Sequence, residues 1–484
     1  MNSLRIWHSK FTSGRSRMRM FFLLSGLFVF HSCATYYQTN YSFNKEFESG
    51  DLDKALATLQ AKDSGRKNEF LTYVNNGLVL SMMGRYEESN DYFEKAFLFG
   101  EDYRKNYLLE AASYLANPTF TPYRGEDHEH LIVLYYKAMN FLKMKKTEEA
   151  LVECRRLNIR LQQLSDRYSS ESKYREDAFI HNLMGIIYDY DKDYNNAFIA
   201  YRNAYEIYTN DYSKLFSLGP PEQLKLDLLR TASLNGFRDE LEKYKADFGM
   251  PDYVYEPNTG GELVFFWHNG LSPIKAEWGV NFVISRSNNW VTFTNADLGL
   301  SFPFNVENYD EKDRNGLTSL EVFRVAFPKY IERPVHFNTA EIKYDGETLP
   351  LQLAEDINQV AFKVLNERMT VEMSKALIRA ALKKVTEYQF RKTDKTLGSV
   401  IGVFNAITEK ADTRNWQTLP HSIYYCRIPL KEGSNTLQLS LHPLQGSNAD
   451  HPFTYQVKKG EMLFHTFTSL ESGYPNYSNF YNPG

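Results

Sequence analysis

The sequence predicts an α+β chain of two domains: an N-terminal α-helical solenoid of hairpin repeats, then a β-rich, sandwich-like domain carrying an inserted helical hairpin. Three observations predict it. Between residues 41 and 250, apolar residues recur at helical spacing in units that match one another. From Gly261 onward, short runs rich in Val, Phe and Ile alternate with polar residues. Between the two, Pro257-Asn258-Thr259-Gly260-Gly261 interrupts both patterns. The predicted division is a signal peptide at 1–32, a repeat domain at 33–252, and a β-rich domain at 262–484 with its helical insertion at about 366–410. Charged residues make up 24% and apolar residues 43%. Those proportions exclude a disordered chain and a polytopic membrane protein.

The first segment reads as an address. Arg5, Lys10, Arg15, Arg17 and Arg19 precede the uncharged run Met20 to Phe30, eleven residues long, and no acid lies among residues 1–32. Eleven residues are too few to span a bilayer core, which needs about 20. A basic run, a short apolar run and a small residue make a secretory signal. It ends Phe30-His31-Ser32-Cys33, which resembles a bacterial lipobox, with Phe30 and His31 departing from the strict pattern. The resemblance implies that Cys33 is acylated and becomes the mature N-terminus, held by two or three acyl chains. No Asp follows Cys33, so the implied location is the outer membrane, lipid-anchored and facing the periplasm. Beyond residue 32 the chain has 51 basic and 60 acidic residues. That balance argues against a nucleic-acid partner.

Residues 70–97 and 178–204 align position by position. Gly77 meets Gly185, Tyr86 meets Tyr194, Ser89 meets Ala197, Phe93 meets Tyr201, and Ala96 meets Ala204. Small residues let two helices cross closely, and aromatic residues fill the space to the next pair. Weaker copies lie at 41–62, at 131–157, and from Pro220 to Pro251. This small–aromatic–small pattern resembles the tetratricopeptide repeat. In arrays of that kind the first helix of each pair lines a concave groove. Counting from the small positions, the candidate peptide-binding groove is Val74, Leu78, Tyr135, Met139, Asn182, Ile186 and Tyr190; the alternative is that an insertion, or the β-rich unit itself, fills it. Asp189, Asp191 and Asp193 imitate the start of a calcium loop. Tyr194 and Ala200 stand where that loop needs Gly and Glu, so these acids are expected in a solvated turn. His128 and His130 are two apart and point to different helix faces, so no metal site is expected there. Cys154 and Cys426 are expected as buried thiols.

In the second half, strands are expected at Leu263 to Trp267, Trp278 to Ser285, Asn289 to Thr294, Ser319 to Phe327, Glu341 to Tyr344 and Asn358 to Val364. Further strands are expected at Ser422 to Ile428, Thr436 to Leu441, Phe453 to Val457 and Met462 to Phe467. Val371 to Phe390 and Leu397 to Ile407 read as the two helices of the inserted hairpin. Its expected role is to cover one sheet face, or to meet a membrane surface or partner through the basic stripe Lys375, Arg379 and Lys383.

The decapeptide Ala411-Asp412-Thr413-Arg414-Asn415-Trp416-Gln417-Thr418-Leu419-Pro420 follows the hairpin. It resembles a signature of a poorly characterised family of bacterial envelope lipoproteins with tetratricopeptide-like repeats. The stretches Leu131 to Leu142, Ala150 to Arg156 and Glu262 to Ile274 fit that family in the same order. The resemblance implies architecture and location, with no enzyme activity attached. Asp412, Arg414 and Trp416 are the candidate junction residues, expected where the hairpin meets the sheet.

The chain has no Gly-Lys dipeptide, no Gly-x-Gly, no His-Glu-x-x-His and no Cys-x-x-Cys. It therefore carries no phosphate-binding loop, Rossmann fingerprint, zinc-protease motif or thiol redox motif. No catalytic residue, cofactor or metal is predicted. The expected function is a non-catalytic, membrane-anchored periplasmic scaffold that binds an envelope protein or peptide. Two alternatives are an envelope hydrolase acting on peptidoglycan or glycan, whose two carboxylates need no contiguous motif, and an accessory component of outer-membrane transport or secretion.

Overall fold

A computed structural model describes residues 35–62, 65–105, 121–167, 174, 176–307, 322–393 and 410–475. The predicted signal peptide, Cys33 and the second helix of the hairpin lie outside the described residues.

Among the described residues, five antiparallel helix pairs form the first half. They are α1 (Tyr41–Glu48) with α2 (Leu52–Ala61), α3 (Glu69–Met82) with α4 (Tyr86–Lys105), and α5 (Asp127–Lys143) with α6 (Thr147–Arg167). Then come α7 (Ala178–Tyr190) with α8 (Tyr194–Ile207), and α9 (Glu222–Asn235) with α10 (Arg238–Asp247). Every pair turns in the same way. Gly50, Gly84, Lys145, Lys192 and Gly236 all have positive φ. After each, an amide bonds back to the carbonyl five residues earlier: Asp51 to Glu46, Arg85 to Leu80, Lys146 to Phe141, Asp193 to Tyr188, Phe237 to Ala232, at 2.9–3.0 Å. This left-handed C-cap satisfies carbonyls that the helix end would leave unpaired. The small residues act as the sequence implies. A Cβ on Gly77 would lie 2.8 Å from the Phe93 ring, and one on Gly185 would lie 2.4 Å from Tyr201.

The second half holds three four-stranded sheets. The first runs β12–β1–β9–β8 (Met462–Ser469, Gly261–Asn269, Ser422–Leu430, Gln352–Glu355), with β1 and β12 parallel. The second runs β11–β10–β6–β7 (Ala449–Val457, Gly433–Pro443, Phe337–Tyr344, Glu347–Pro350). The third runs β4–β3–β2–β5 (Leu300–Asn305, Trp290–Asn295, Ile274–Ser287, Val322–Ile331). The first two form a sandwich: Leu263, Phe265, Trp267 and Ile428 pack against Ile342, Leu437, Leu439 and Leu441. The third carries the helix α11 (Ile357–Thr393), with Phe282, Phe293 and Phe327 against Leu365, Met369 and Leu377.

Two expectations need correction. Asn358 to Val364 is not a strand; it is the first two turns of α11, which therefore starts nine residues before the expected insertion boundary. Asp356 sets that start, accepting from the amide of Gln359 at 2.8 Å. The β-rich half is also not separate from the solenoid, although it keeps two apolar clusters of its own. One apolar cluster joins Phe43, Phe70, Tyr135 and Ile186 of the solenoid to Val264, Phe266, Trp416, Ile423 and Tyr425.

Candidate functional site

Strand β1 explains why the halves merge. Its run Leu263 to Trp267 is apolar without alternation, so both faces need cover. Leu263, Phe265 and Trp267 turn into the sandwich. Val264, Phe266 and His268 turn the other way and meet the concave face of the solenoid. α5 meets β1 through Tyr135, which packs on Phe266 and His268; α7 meets the same sheet through Asp189 and Tyr190, against Arg427 and Phe464; α3 is reached by the decapeptide, Thr418 donating to Asn75.

The seven groove residues are therefore not an open site. Val74, Leu78, Tyr135, Met139, Asn182 and Ile186 are each at most 2% exposed, and Tyr190 is half-buried with its ring 5.2 Å from that of Phe464 on β12. The Tyr135 hydroxyl lies 2.7 Å from Nε2 of His268, and the Tyr136 hydroxyl 3.5 Å from Nδ1. Burial pushes His268 down to about 3. The inner face of the repeats is occupied by the protein's own sheet.

The decapeptide fastens this contact. Arg414 pairs with Asp412 through Nε at 2.8 Å and Nη2 at 2.6 Å, and donates to the carbonyls of Lys67 and Thr121 at 2.8 and 3.0 Å. Thr413 accepts from the amide of Tyr36 at 3.0 Å. The fully buried Trp416 donates its amide to Glu129 at 2.7 Å and packs on Phe93 and Tyr136. Gln417 donates to Asn44 and Thr418 to Asn75, at 2.6 and 2.7 Å. Asp412, Arg414 and Trp416 thus sit where the β-rich half meets the solenoid, and the rest of the decapeptide reaches α1 and α3; the second helix of the hairpin lies outside the described residues.

Three buried polar clusters surround the contact. In the first, Arg427 of β9 meets Asp189 of α7 at 2.9 Å, Asp227 of α9 at 3.0 Å and Glu262 of β1 at 3.0 Å, and Arg230 bonds Asp189 and Asp227. Burial opposes ionisation of Asp189, yet Arg427 and Arg230 hold its carboxyl below the usual range. Asp189 is therefore a buried lock on the last turn of α7, not part of a solvated turn. The signal that could have found its partner was Arg427 itself, a lone cation in the apolar strand Ser-Ile-Tyr-Tyr-Cys-Arg-Ile.

In the second cluster, Glu126 caps the start of α5 and holds Lys275 of β2 at 2.5 Å and Arg368 of α11 at 2.7 Å. Burial works against its charge, but Arg368 and Lys275 keep it well below the carboxylate range. Its neighbour Glu129 is pushed up to about 7 by burial and by the charge of Glu126. His128 is buried beside this cluster, and His130 Nε2 lies 2.8 Å from the carbonyl of Arg124. Among the described residues, no group of three or more His, Cys, Asp or Glu is placed to hold a metal ion.

In the third, Asp177 accepts from Tyr174 at 2.5 Å and Glu355 from Tyr212 at 3.3 Å. Both carboxyls are buried. Burial pushes Asp177 up to about 6 and Glu355 well above its usual value, where the Asp177 charge adds to the effect. Cys154 and Cys426 are free and buried, and burial pushes both thiols up.

Among the described residues, two cavities that open at the surface stand out. One, about 300 Å³, lies beside the first helices and is lined by Tyr36, Tyr41, Thr58, Lys62 and Asn75 among others. The other, about 360 Å³, is lined by Phe216, Glu332, Asn358, Gln359, Phe362 and Lys363 among others. Neither places two carboxylates on its wall. Among the described residues, no helix is long and apolar enough to cross a membrane.

No family model matches the sequence, and no curated protein matches it significantly. Similar solved structures are helical. MamA from Desulfovibrio magneticus RS-1 shares 17% identity over 43% of this chain and 87% of its own, with a TM-score of 0.27. The apo form of RapI shares 15% over 44% and 68%, with a TM-score of 0.32. A tetratricopeptide repeat protein from Parabacteroides merdae ATCC 43184 shares 13% over 45% and 93%, with a TM-score of 0.16. Each likeness covers less than half of this chain.

Proposed function

We propose that this chain is a non-catalytic scaffold of the bacterial cell envelope, lipidated at Cys33 and held at the outer membrane, where it binds a protein partner. The observation that carries the reading is the distance between the predicted anchor and the folded body. Thr35 already caps the helix Tyr36–Thr39, its side chain and that of Gln38 forming a capping box. Tyr36 then bonds Thr413 of the decapeptide at 3.0 Å. Only Ala34 separates Cys33 from Thr35, a reach of about 7 Å. An acylated Cys33 would hold the body directly against the headgroups, with no spacer. The alternative of a glycan hydrolase draws less support: among the described residues that line these two cavities, Glu332 is the one acid. Accessory service in transport or secretion would use the same anchor and differs only in the partner.

The test is mass analysis of the mature N-terminus with membrane fractionation of Cys33→Ala. A diacylated or triacylated Cys33, and release of the variant from membranes, is the expected result. An unmodified N-terminus elsewhere overturns the anchor.

A further inference from the structure

Among the described residues, six strands form the outer edges of the three sheets: β12 and β8, β11 and β7, β4 and β5. An edge strand offers unpaired N–H and C=O groups to other chains, and natural edges are blunted by proline, charge or short length. Five of the six are blunted in this way. β7 and β8 have four residues each. β4 carries Pro303, β5 carries Pro328 and β11 carries Pro452. β12 differs. It reads Met-Leu-Phe-His-Thr-Phe-Thr-Ser, eight residues with no proline, acid, lysine or arginine. Leu463 to Thr468 are half-buried, and among the described residues the strand pairs with β1 alone.

The register shows which groups are open. Glu461 and Ser469 turn their carbonyls to β1, accepting from Glu262 and Gly270 at 2.8 and 2.9 Å. Backbone direction alternates along a strand. Leu463, His465 and Phe467 therefore face β1, while Phe464, Thr466 and Thr468 present N–H and C=O to the free edge.

The surroundings of that edge are cationic. The strand runs past the turn between α5 and α6. Lys143 donates to the Thr466 hydroxyl, a neutral partner; Lys145 meets Glu461; and Lys146 reaches Glu87 at 3.4 Å. Lys458 and Lys459 lie at the head of the strand. A second copy of β12 would bring these cations against their own kind. Residues 476–484 of this chain contain no acid, and Ser472 already bridges to Val335.

We propose that the open edge of β12 takes an added strand from another protein, an extended acidic segment laid along Met462–Ser469. Main-chain bonds to residues 464, 466 and 468 supply affinity, and acidic side chains on the solenoid side meet Lys143 and its neighbours. This site rests on the protein-binding reading given above and locates it away from the filled groove.

The test uses the purified full chain in detergent and a fluorescein-labelled nine-residue peptide alternating Val and Glu. Saturable binding is expected, with slowed deuterium uptake confined to the amides of 464, 466 and 468. A Val/Lys peptide and an N-methylated Val/Glu peptide are expected not to bind. Thr468→Pro removes one outward amide and leaves the β1 ladder intact; if its melt is unchanged, binding should weaken by about tenfold or more. Failure of the Val/Glu peptide to bind, equal binding by its N-methylated copy, or protection elsewhere overturns the proposal. In cells, a photoreactive residue at position 468 is compared with one at the outer-helix position 199. Adducts at 199 alone overturn the edge and leave the scaffold standing, adducts at neither overturn both, and a self-adduct at 468 overturns the acidic partner.

Discussion

The Tyr135 hydroxyl and His268 Nε2 lie 2.7 Å apart across the join between solenoid and sheet. One is on the first helix of the third repeat pair, the other on the central strand β1. Both are buried, and Tyr135 also packs on Phe179 and Phe266. The pair carries a consequence opposite to that of a groove residue. Tyr135→Ala should destabilise the protein by about 3–5 kcal/mol through the cavity it leaves. Tyr135→Phe should cost about 1–3 kcal/mol by leaving His268 without its partner. Chemical denaturation of both variants checks this; wild-type stability in Tyr135→Ala would mean the face is open.

Arg427 neutralises Asp189 and Asp227 from within the sheet. Removing it leaves Arg230 alone against two buried carboxylates. Arg427→Ala is expected to lose about 3–5 kcal/mol, and Arg427→Met with Asp227→Asn, which keeps Asp189 paired with Arg230, is expected to recover much of that loss. Urea titrations of the single and double variants decide it.

Asp177 and Glu355 make the opposite case. Both are raised above their unfolded values, Asp177 to about 6, so the folded state holds protons more tightly than the unfolded one. The stability they contribute is complete below about pH 4 and is lost as pH rises through 6 and beyond. Glu355→Gln keeps an acceptor for Tyr212 and removes the charge. It should raise stability by about 1–3 kcal/mol at pH 8 and little at pH 4. Melts of both proteins across that range provide the check, and a constant difference between them would contradict the linkage.

Lys192 occupies the left-handed turn position that Gly50, Gly84 and Gly236 fill in other repeats, at φ 64°. Its exposed side chain gives nothing obvious in return. Lys192→Gly should stabilise by about 0.5–1 kcal/mol, read as a raised melting temperature.

The repeats were legible because close helix crossing demands small residues at fixed spacing, and Gly77 and Gly185 stand where the crossings fall. Most strands were legible for the same kind of reason, since a half-exposed sheet forces a period of two. The state of the groove was not legible because concavity is a property of the solenoid alone, while its occupant, β1, lies about 70 to 190 residues further along the chain. The apolar run Leu263 to Trp267 did hold the clue: a strand that is apolar on both faces must be covered on both. The buried charges were the least legible. Asp189 looks like any turn acid until Arg427 is brought beside it, and no spacing rule connects them. The start of α11 was missed because its first apolar residues fit either period, and only the Asp356 cap decides.

The solenoid and the β-rich half share one apolar cluster across the filled inner face of the repeats. Equilibrium unfolding of the full chain in urea, followed at once by helix ellipticity and by fluorescence of the buried Trp267 and Trp416, measures this directly. Coincident transitions with a single midpoint are the predicted result. A helical transition that survives well beyond the loss of the tryptophan signal would contradict it, and would return the inner face of the repeats to the role of an open groove.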